Sequence, residues 1–154
     1  MKQFSIVIAN DIETRASEIE SFLKDNYSDI KIIKKFSYKD TLKEILTRNF
    51  DLIILDITMP TYFNKEMFSP ESGTMRSLAG INILERMFIE KRYINTILFT
   101  GLETFYDKHN LQLTIDDIII FVKKFSFCKS IIIDNGERTI WQNRLIKYIN
   151  NINQ

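Results

Sequence analysis

Apolar residues in this chain fall into short continuous runs, and between the runs they recur every three or four positions. Strands covered on both faces read as unbroken apolar stretches, whereas a helix shows one apolar stripe, so the alternation predicts βα units on a parallel sheet with helices on both sides. Phe4 to Ala9 is the first predicted strand, followed by a helix carrying Ile12, Ala16, Ile19, Phe22 and Leu23 up to about Tyr27. A second strand fits Ile30 to Phe36. Ser37, with Asp40 three residues on, has the form of a capping box that opens a helix through Leu42, Ile45 and Leu46. Leu52 to Leu55 predicts a buried third strand with Asp56 at its C-terminal end, and Ile81, Leu84, Met87 and Phe88 a third helix. A fourth strand over Ile94 to Phe99 ends at Thr100 and Gly101, a weaker helix spans Leu102 to Leu113, and a fifth strand over Ile118 to Val122 ends at Lys123. A last helix, with Trp141, Leu145, Tyr148, Ile149 and Ile152 on one side, follows the turn-forming Asp134-Asn135-Gly136.

Two stretches break this rhythm. Between Pro60 and Gly80 lie about twenty residues without a clear period, longer than the two to six usual for a βα connection. Tyr62, Phe63, Met67 and Phe68 make an apolar cluster there that either packs back on the domain or presents a sticky surface, and the loop reads as a lid or docking element responding to Asp56. From Lys123 to Gln154, six basic residues face two acidic ones, which reads first as a solvated helix face and second as a docking patch.

Composition narrows the class. The 154 residues are 45% hydrophobic, 27% charged and 12% aromatic, enough to bury a core and incompatible with a disordered or low-complexity chain. A net charge of +1 excludes a whole-protein field that recruits nucleic acid or an anionic membrane, so specificity must come from a local site. A single cysteine, Cys128, forms no internal disulfide, and neither a signal-peptide run nor a membrane-length apolar stretch is present. The expectation is a cytoplasmic protein with one domain over 1–154, an inserted loop at 61–79 and a C-terminal helix region from about 126.

In a parallel sheet the residues that end each strand converge on one edge. Asn10 and Asp11 follow strand one, Asp56 ends strand three, Thr100 strand four and Lys123 strand five. For a 2-1-3-4-5 strand order the ligand crevice lies between strands one and three, where Asp11 and Asp56 would flank it. Facing carboxylates repel, and a hard cation with oxygen ligands relieves the repulsion, with Mg²⁺ the natural candidate because no His or Cys cluster competes for a softer metal. A carboxylate can act as a nucleophile and form an aspartyl phosphate, for which Thr100 and Lys123 would supply a hydroxyl donor and countercharge.

Four stretches in register resemble the response-regulator receiver domains of two-component signalling: Ile6 to Asp11, Asp51 to Pro60 with its Asp-x-x-Met-Pro, Ile97 to Gly101, and Phe121 to Phe125. The resemblance covers most of the chain. It implies a three-layer, flavodoxin-like α/β fold of five parallel strands in 2-1-3-4-5 order, and a phosphoryl group accepted on Asp56 from a histidine kinase or phosphotransfer protein. By the same resemblance, Asp11, Asp56 and the Thr58 carbonyl bind Mg²⁺, Thr100 bonds a phosphoryl oxygen and Lys123 pairs with it. With no output module, signalling would pass to a downstream protein partner through helix four, strand five and helix five, or through the loop, without direct nucleic-acid or membrane contact and with no enzyme activity beyond self-phosphorylation and self-dephosphorylation.

Departures from the family pattern accompany the matches. Asn10 stands first in what is usually an acidic pair, which weakens Mg²⁺ binding without abolishing it. Lys124 replaces the proline that usually follows the lysine, making the family's cis peptide improbable. Ile120 occupies the place of a switching aromatic, and the usual glycine after the proline is Gly80, displaced by about sixteen residues.

Plainer readings stand beside these. Asp56 could cap the turn after its strand, Asp11 could N-cap helix one, Thr100 could cap the next helix, and Lys123 could be a surface lysine. His109 reads as solvent-exposed, Cys128 and Trp141 as packing. Two further functions compete: a phosphorylation-independent pseudo-receiver serving as a constitutive interaction module, and a haloacid-dehalogenase-type phosphatase, for which Thr58 stands where a second carboxylate is needed.

Overall fold

Along each central strand the side chains alternate between two buried clusters, which is the signature of a sheet sandwiched between helical layers. In the computed structural model, which describes residues 3–62 and 75–152, the element order is β1 (Phe4–Ala9), α1 (Glu13–Asn26), β2 (Ile30–Lys35), α2 (Tyr38–Thr47), β3 (Leu52–Leu55), β4 (Met59–Pro60), β5 (Met75–Arg76), α3 (Ala79–Ile89), β6 (Thr96–Thr100), β7 (Thr104–Tyr106), β8 (Gln112–Thr114), α4 (Ile115–Val122), β9 (Cys128–Ile133) and α5 (Arg138–Ile152). Five strands form one parallel sheet in the order β2-β1-β3-β6-β9, which is 2-1-3-4-5 when only the sheet strands are counted. Val7, Ala9, Ile53, Leu55 and Leu98 face α2, α3 and α4, while Ile6, Ile8, Leu52, Ile54, Ile97, Phe99 and Ile132 face α1 and α5. The doubly wound three-layer α/β fold is therefore as expected.

Local chemistry sets the boundaries. Ser37 Oγ accepts from the Asp40 N–H at 3.2 Å, satisfying one of the donors left unpaired at the start of α2. Ser37→Ala should cost about 1 kcal/mol of stability, within the range for losing an N-cap, and a urea midpoint equal to that of the wild type would remove the cap from the account. Trp141 is buried and meets Phe22 and Phe99 edge-on, each with ring centroids 5.5 Å apart, so its reading as core packing holds.

Two elements differ from expectation. The stretch Leu102 to Leu113 is not a helix: β7 and β8 pair antiparallel, Phe105 opposite Leu113, with Asn110 at a positive φ in the turn between them. The run Ile118 to Val122 is not the fifth strand but the end of α4. Thr114 and Asp117 form a reciprocal capping box, and Asp116 and Asp117 in the first turn favour the helix dipole, so the chain winds before the apolar run begins. The fifth sheet strand is β9, Cys128–Ile133, which follows ten residues later and pairs with β6 from Thr96↔Cys128 to Thr100↔Ile133.

Of the inserted loop, Tyr62 is half exposed and Met75–Arg76 pairs back on Met59–Pro60 as a two-stranded ribbon. Phe63, Met67 and Phe68, and with them the lid or docking expectation, lie outside the described residues. All six basic residues after position 122 are exposed, in keeping with a solvated face.

Candidate functional site

At the C-terminal edge of the sheet, β1 and β3 end side by side, with Ala9 opposite Leu55 and the Asp56 N–H donating to the Ala9 carbonyl at 2.8 Å. This pairing carries Asp56 to the position directly beyond the centre of the sheet, next to the Asn10-Asp11 segment. Asp56 is only 8% exposed. Its carboxylate accepts from the Thr58 N–H at 3.4 Å, and Thr58 is itself held by a 2.7 Å bond from its hydroxyl to the Ser77 carbonyl. Burial, with the nearby charge of Asp11 second, pushes Asp56 up to about 7, and the Thr58 and Ile57 backbone N–H groups and the Arg15 charge offset only part of that. Asp11, half-buried, is raised in the same direction, chiefly by burial. The expected meeting of Asp11 and Asp56 is thus present: two acidic groups share one poorly hydrated edge.

Asn10 lies beside them, buried, but its side-chain oxygen accepts the Ile12 N–H at 2.9 Å. That Asx turn orients the chain entering α1, so the Asn10 oxygen is engaged with backbone. Asp11 does not N-cap α1, because Ile12 takes that position and makes no side-chain cap. Thr100 is fully buried at the end of β6, where its Oγ1 accepts from the Leu102 N–H at 3.1 Å; that bond uses the oxygen and leaves the hydroxyl proton as a donor. The site therefore brings Asn10, Asp11, Asp56, Thr58 and Thr100 to one edge.

Lys123 is not among them. It is the exposed C-cap of α4, and because residues 124–127 lead from it to the first residue of β9, it sits at the N-terminal edge of the sheet, opposite Asp56. The expectation of a lysine ending strand five fails because that strand is a helix. The residue that does leave the fifth strand at this edge is Asp134, whose N–H donates to the Thr100 carbonyl at 2.8 Å. Lys124, likewise, sits after α4 with its ammonium 3.8 Å from the Phe121 ring centroid, and none of the described residues has a cis peptide bond. Ile120 is an exposed residue of α4 rather than a strand position three residues before the site; Ile131 holds that place.

Sequence reasoning missed two residues. Asp134 was marked by the run Ser130 to Ile133 leading into an Asp-Asn-Gly turn, in which the Gly136 N–H bonds the Asp134 side chain at 2.9 Å and Gly136 takes φ 92°. Arg15, in the first turn of α1, carried no such mark. Its Nη1 lies 2.6 Å from the Asp134 carboxylate, and its guanidinium lies 5.9 Å from the Phe99 ring centroid. Gly101 fits this placement, since a Cβ there would come within 3.3 Å of Nη1.

Gly80 is where the family glycine was expected. A Cβ at this position would lie 2.5 Å from the Asp56 carbonyl oxygen, so only glycine lets the first turn of α3 pack on the backbone that carries Asp56. His109 is exposed, as read. Cys128, half-buried with its thiol pushed up to about 11 by burial, has no thiolate character at neutral pH.

Two carboxyl groups raised by burial, Asp56 also by the charge of Asp11, with a backbone carbonyl at Thr58, form the donor set that a hard, oxygen-seeking cation relieves, so these residues fit Mg²⁺. No group of three or more His, Cys, Asp or Glu side chains that could hold a metal ion occurs among the described residues, so a cation at this edge would have two carboxylates and would complete its shell with the Thr58 carbonyl and water. None of the described helices is long and apolar enough to cross a membrane.

No family model matches the chain. It is 29% identical over 147 residues, 94% of this chain and 97% of the other, to the Detocs response regulatory protein DtcB of Enterobacter cloacae. Among solved structures it superposes on a CheY-like response regulator receiver domain protein of Methanospirillum hungatei with a TM-score of 0.67 at 13% identity, covering 99% of this chain and 95% of that one. It also superposes on the response regulator TrrA of Thermotoga maritima, solved in complex with Mg²⁺ and BeF, with a TM-score of 0.64 at 15% identity over 97% of this chain and 99% of that one.

Proposed function

We propose that this chain is a response-regulator receiver that accepts a phosphoryl group on Asp56 in a Mg²⁺-dependent reaction and signals by protein–protein contact, a reading supported by its 29% identity to a response regulatory protein and by the fold it shares with receiver domains. The observation that carries the reading is the shared, poorly hydrated edge on which burial and Asp11 together raise Asp56 to about 7. A carboxylate under that strain gains from any partner that disperses its charge, and a phosphoryl group beside a divalent cation is such a partner.

Asp11, Asp56 and the Thr58 carbonyl would hold the cation. When bound, Mg²⁺ keeps the carboxylates ionised and draws negative charge on the phosphoryl oxygens toward itself. The chain's own residues do the rest. The Thr58 N–H orients Asp56 through one oxygen, leaving the other to attack phosphorus; the new O–P bond forms as the donor's P–N or P–O bond breaks and the leaving group takes that electron pair. The Thr100 hydroxyl donates to a phosphoryl oxygen. Receiver domains are not generally enzymes, and no turnover is proposed beyond the gain and loss of this one group. The donor is a histidine kinase or phosphotransfer protein, and the receiver of the signal is a downstream protein.

Incubation of the full chain with acetyl phosphate and Mg²⁺ should add one phosphoryl group by intact mass, and Asp56→Ala should abolish it. No added group at any Mg²⁺ concentration would establish the second reading, a phosphorylation-independent interaction module. That reading is favoured by two placements: Asp134 where the family has a lysine, and an Asn10 side chain engaged with backbone.

A further inference from the structure

The edge that holds Asp56 needs countercharge for a phosphoryl group, yet the strand that should supply it ends in an acid. Asp134 leaves β9 beside Thr100, and Lys123 is at the opposite edge. A second acidic group at this position makes an incoming dianion less favourable by repulsion unless a cation intervenes. Arg15 is the cation in place. Its guanidinium reaches across Gly101 from α1 to within 2.6 Å of Asp134, and the charge bears on both Asp11 and Asp56.

We propose that Arg15, held over Gly101 by Asp134, is the residue that pairs with the phosphoryl group on Asp56, taking from α1 the part that a strand-end lysine plays elsewhere.

Three features support this beyond proximity. Nη1 of Arg15 is buried without an aligned hydrogen bond, so its short approach to Asp134 is a charge contact that leaves donor capacity unmet. An arginine offers five N–H donors in a planar fork, enough to keep Asp134 on one side and bind phosphoryl oxygens on the other. The position after Thr100 is a glycine, and any side chain there would press on the guanidinium. Asp134 then acts as a positioning residue: it fixes a long side chain that would otherwise lose rotamer freedom on binding.

This inference rests on Asp56 being the phosphoacceptor, and the test separates the two. Phosphorylation of the full chain by acetyl phosphate with Mg²⁺ is followed by intact mass for the wild type, Arg15→Ala, Arg15→Lys, the pair Arg15→Ala with Asp134→Lys, and Lys123→Ala, each checked for an unfolding transition. Arg15→Ala should slow the reaction at least about tenfold, in line with the loss of one donor to developing charge. Arg15→Lys should keep most of the rate, and the Arg15→Ala, Asp134→Lys pair should recover it by returning a cation from the strand end. Lys123→Ala should match the wild type. A wild-type rate in folded Arg15→Ala, or failure of both cationic replacements to recover the reaction in folded protein, would overturn the role of Arg15 alone. If Arg15→Ala does not fold, the Arg15→Lys and paired variants decide by the same criterion. A wild type that never gains the group overturns the phosphoacceptor reading and, with it, the role of Arg15.

Discussion

Asp56→Asn raises the melting temperature of the protein at pH 8 and leaves it unchanged near pH 3. The sign follows from proton counts. In the folded chain Asp56 holds its proton up to about 7, whereas in the unfolded chain it loses it near 4, so between these values the folded state binds more protons and stability falls as pH rises. Above pH 7 the buried carboxylate carries the whole penalty. Asparagine keeps the shape and the oxygen that accepts the Thr58 N–H, but has no charge to desolvate and nothing for Asp11 to repel. The gap between about 4 and about 7 corresponds to about 4 kcal/mol, of which the variant should recover about 2–4, or roughly 4–16 °C for a domain of this size. Added Mg²⁺ should stabilise the wild type at pH 8, leave Asp56→Asn nearly unmoved, and so narrow the gap. Thermal unfolding of both proteins across pH 3 to 9 reads this directly. A difference that does not vary with pH would show that Asp56 is not held under charge strain.

Gly80→Ala destabilises the protein, against the usual direction for a helix. In an open helix interior this change gains about 1 kcal/mol. Here the new Cβ would meet the Asp56 carbonyl oxygen at 2.5 Å, the Ile57 Cα at 3.0 Å and the Asp56 carbonyl carbon at 3.2 Å, all backbone atoms of the central strand's end that no rotamer change can move aside. The Gly80 N–H also donates to the Ile57 carbonyl at 2.8 Å, so α3 cannot tilt away without loosening that bond. Overpacking of this kind costs about 1–3 kcal/mol, which outweighs the gain in propensity. The urea midpoint should fall with the slope unchanged. Because the displaced atoms belong to Asp56 itself, phosphorylation by acetyl phosphate should slow as well. A midpoint at or above that of the wild type would mean α3 accommodates the methyl group and that glycine is not needed there.

Both predictions concern residues whose importance was legible in the sequence, and the reason is local. Leu52 to Leu55 followed by Asp56 and then Met59-Pro60 states a buried strand, a polar end and a stop, all within nine residues. Asn10-Asp11 after Phe4 to Ala9 does the same for the first strand. Parallel pairing then brings these ends together without further information, since every strand of a parallel sheet presents its C-terminal end on one edge.

The fifth strand shows where that reasoning stops. Ile118 to Val122 and Ser130 to Ile133 are both short apolar runs, and periodicity alone does not separate a buried strand from a buried helix turn. The Thr114 to Asp117 capping box was a readable helix start, and recognising it would have moved the strand to Cys128–Ile133 and put Asp134, not Lys123, at the site. The region from Leu102 to Leu113 failed for a related reason: a three-residue ribbon is too short to show a period, and its pairing depends on which residues lie opposite one another.

Arg15 belongs to a different category. Local pattern decides where strands and helices begin, which faces are buried and which polar groups end a strand, because those depend on neighbours within a few residues; it therefore determined the fold and the pairing of Asp11 with Asp56. Which cation reaches that edge depends on where α1 lies on the sheet, which sets Arg15 beside Phe99 and over Gly101, against an acid from near the other end of the chain. Only the tertiary structure decided that, since the interaction of two charges depends on their separation in space and not on their order along the backbone.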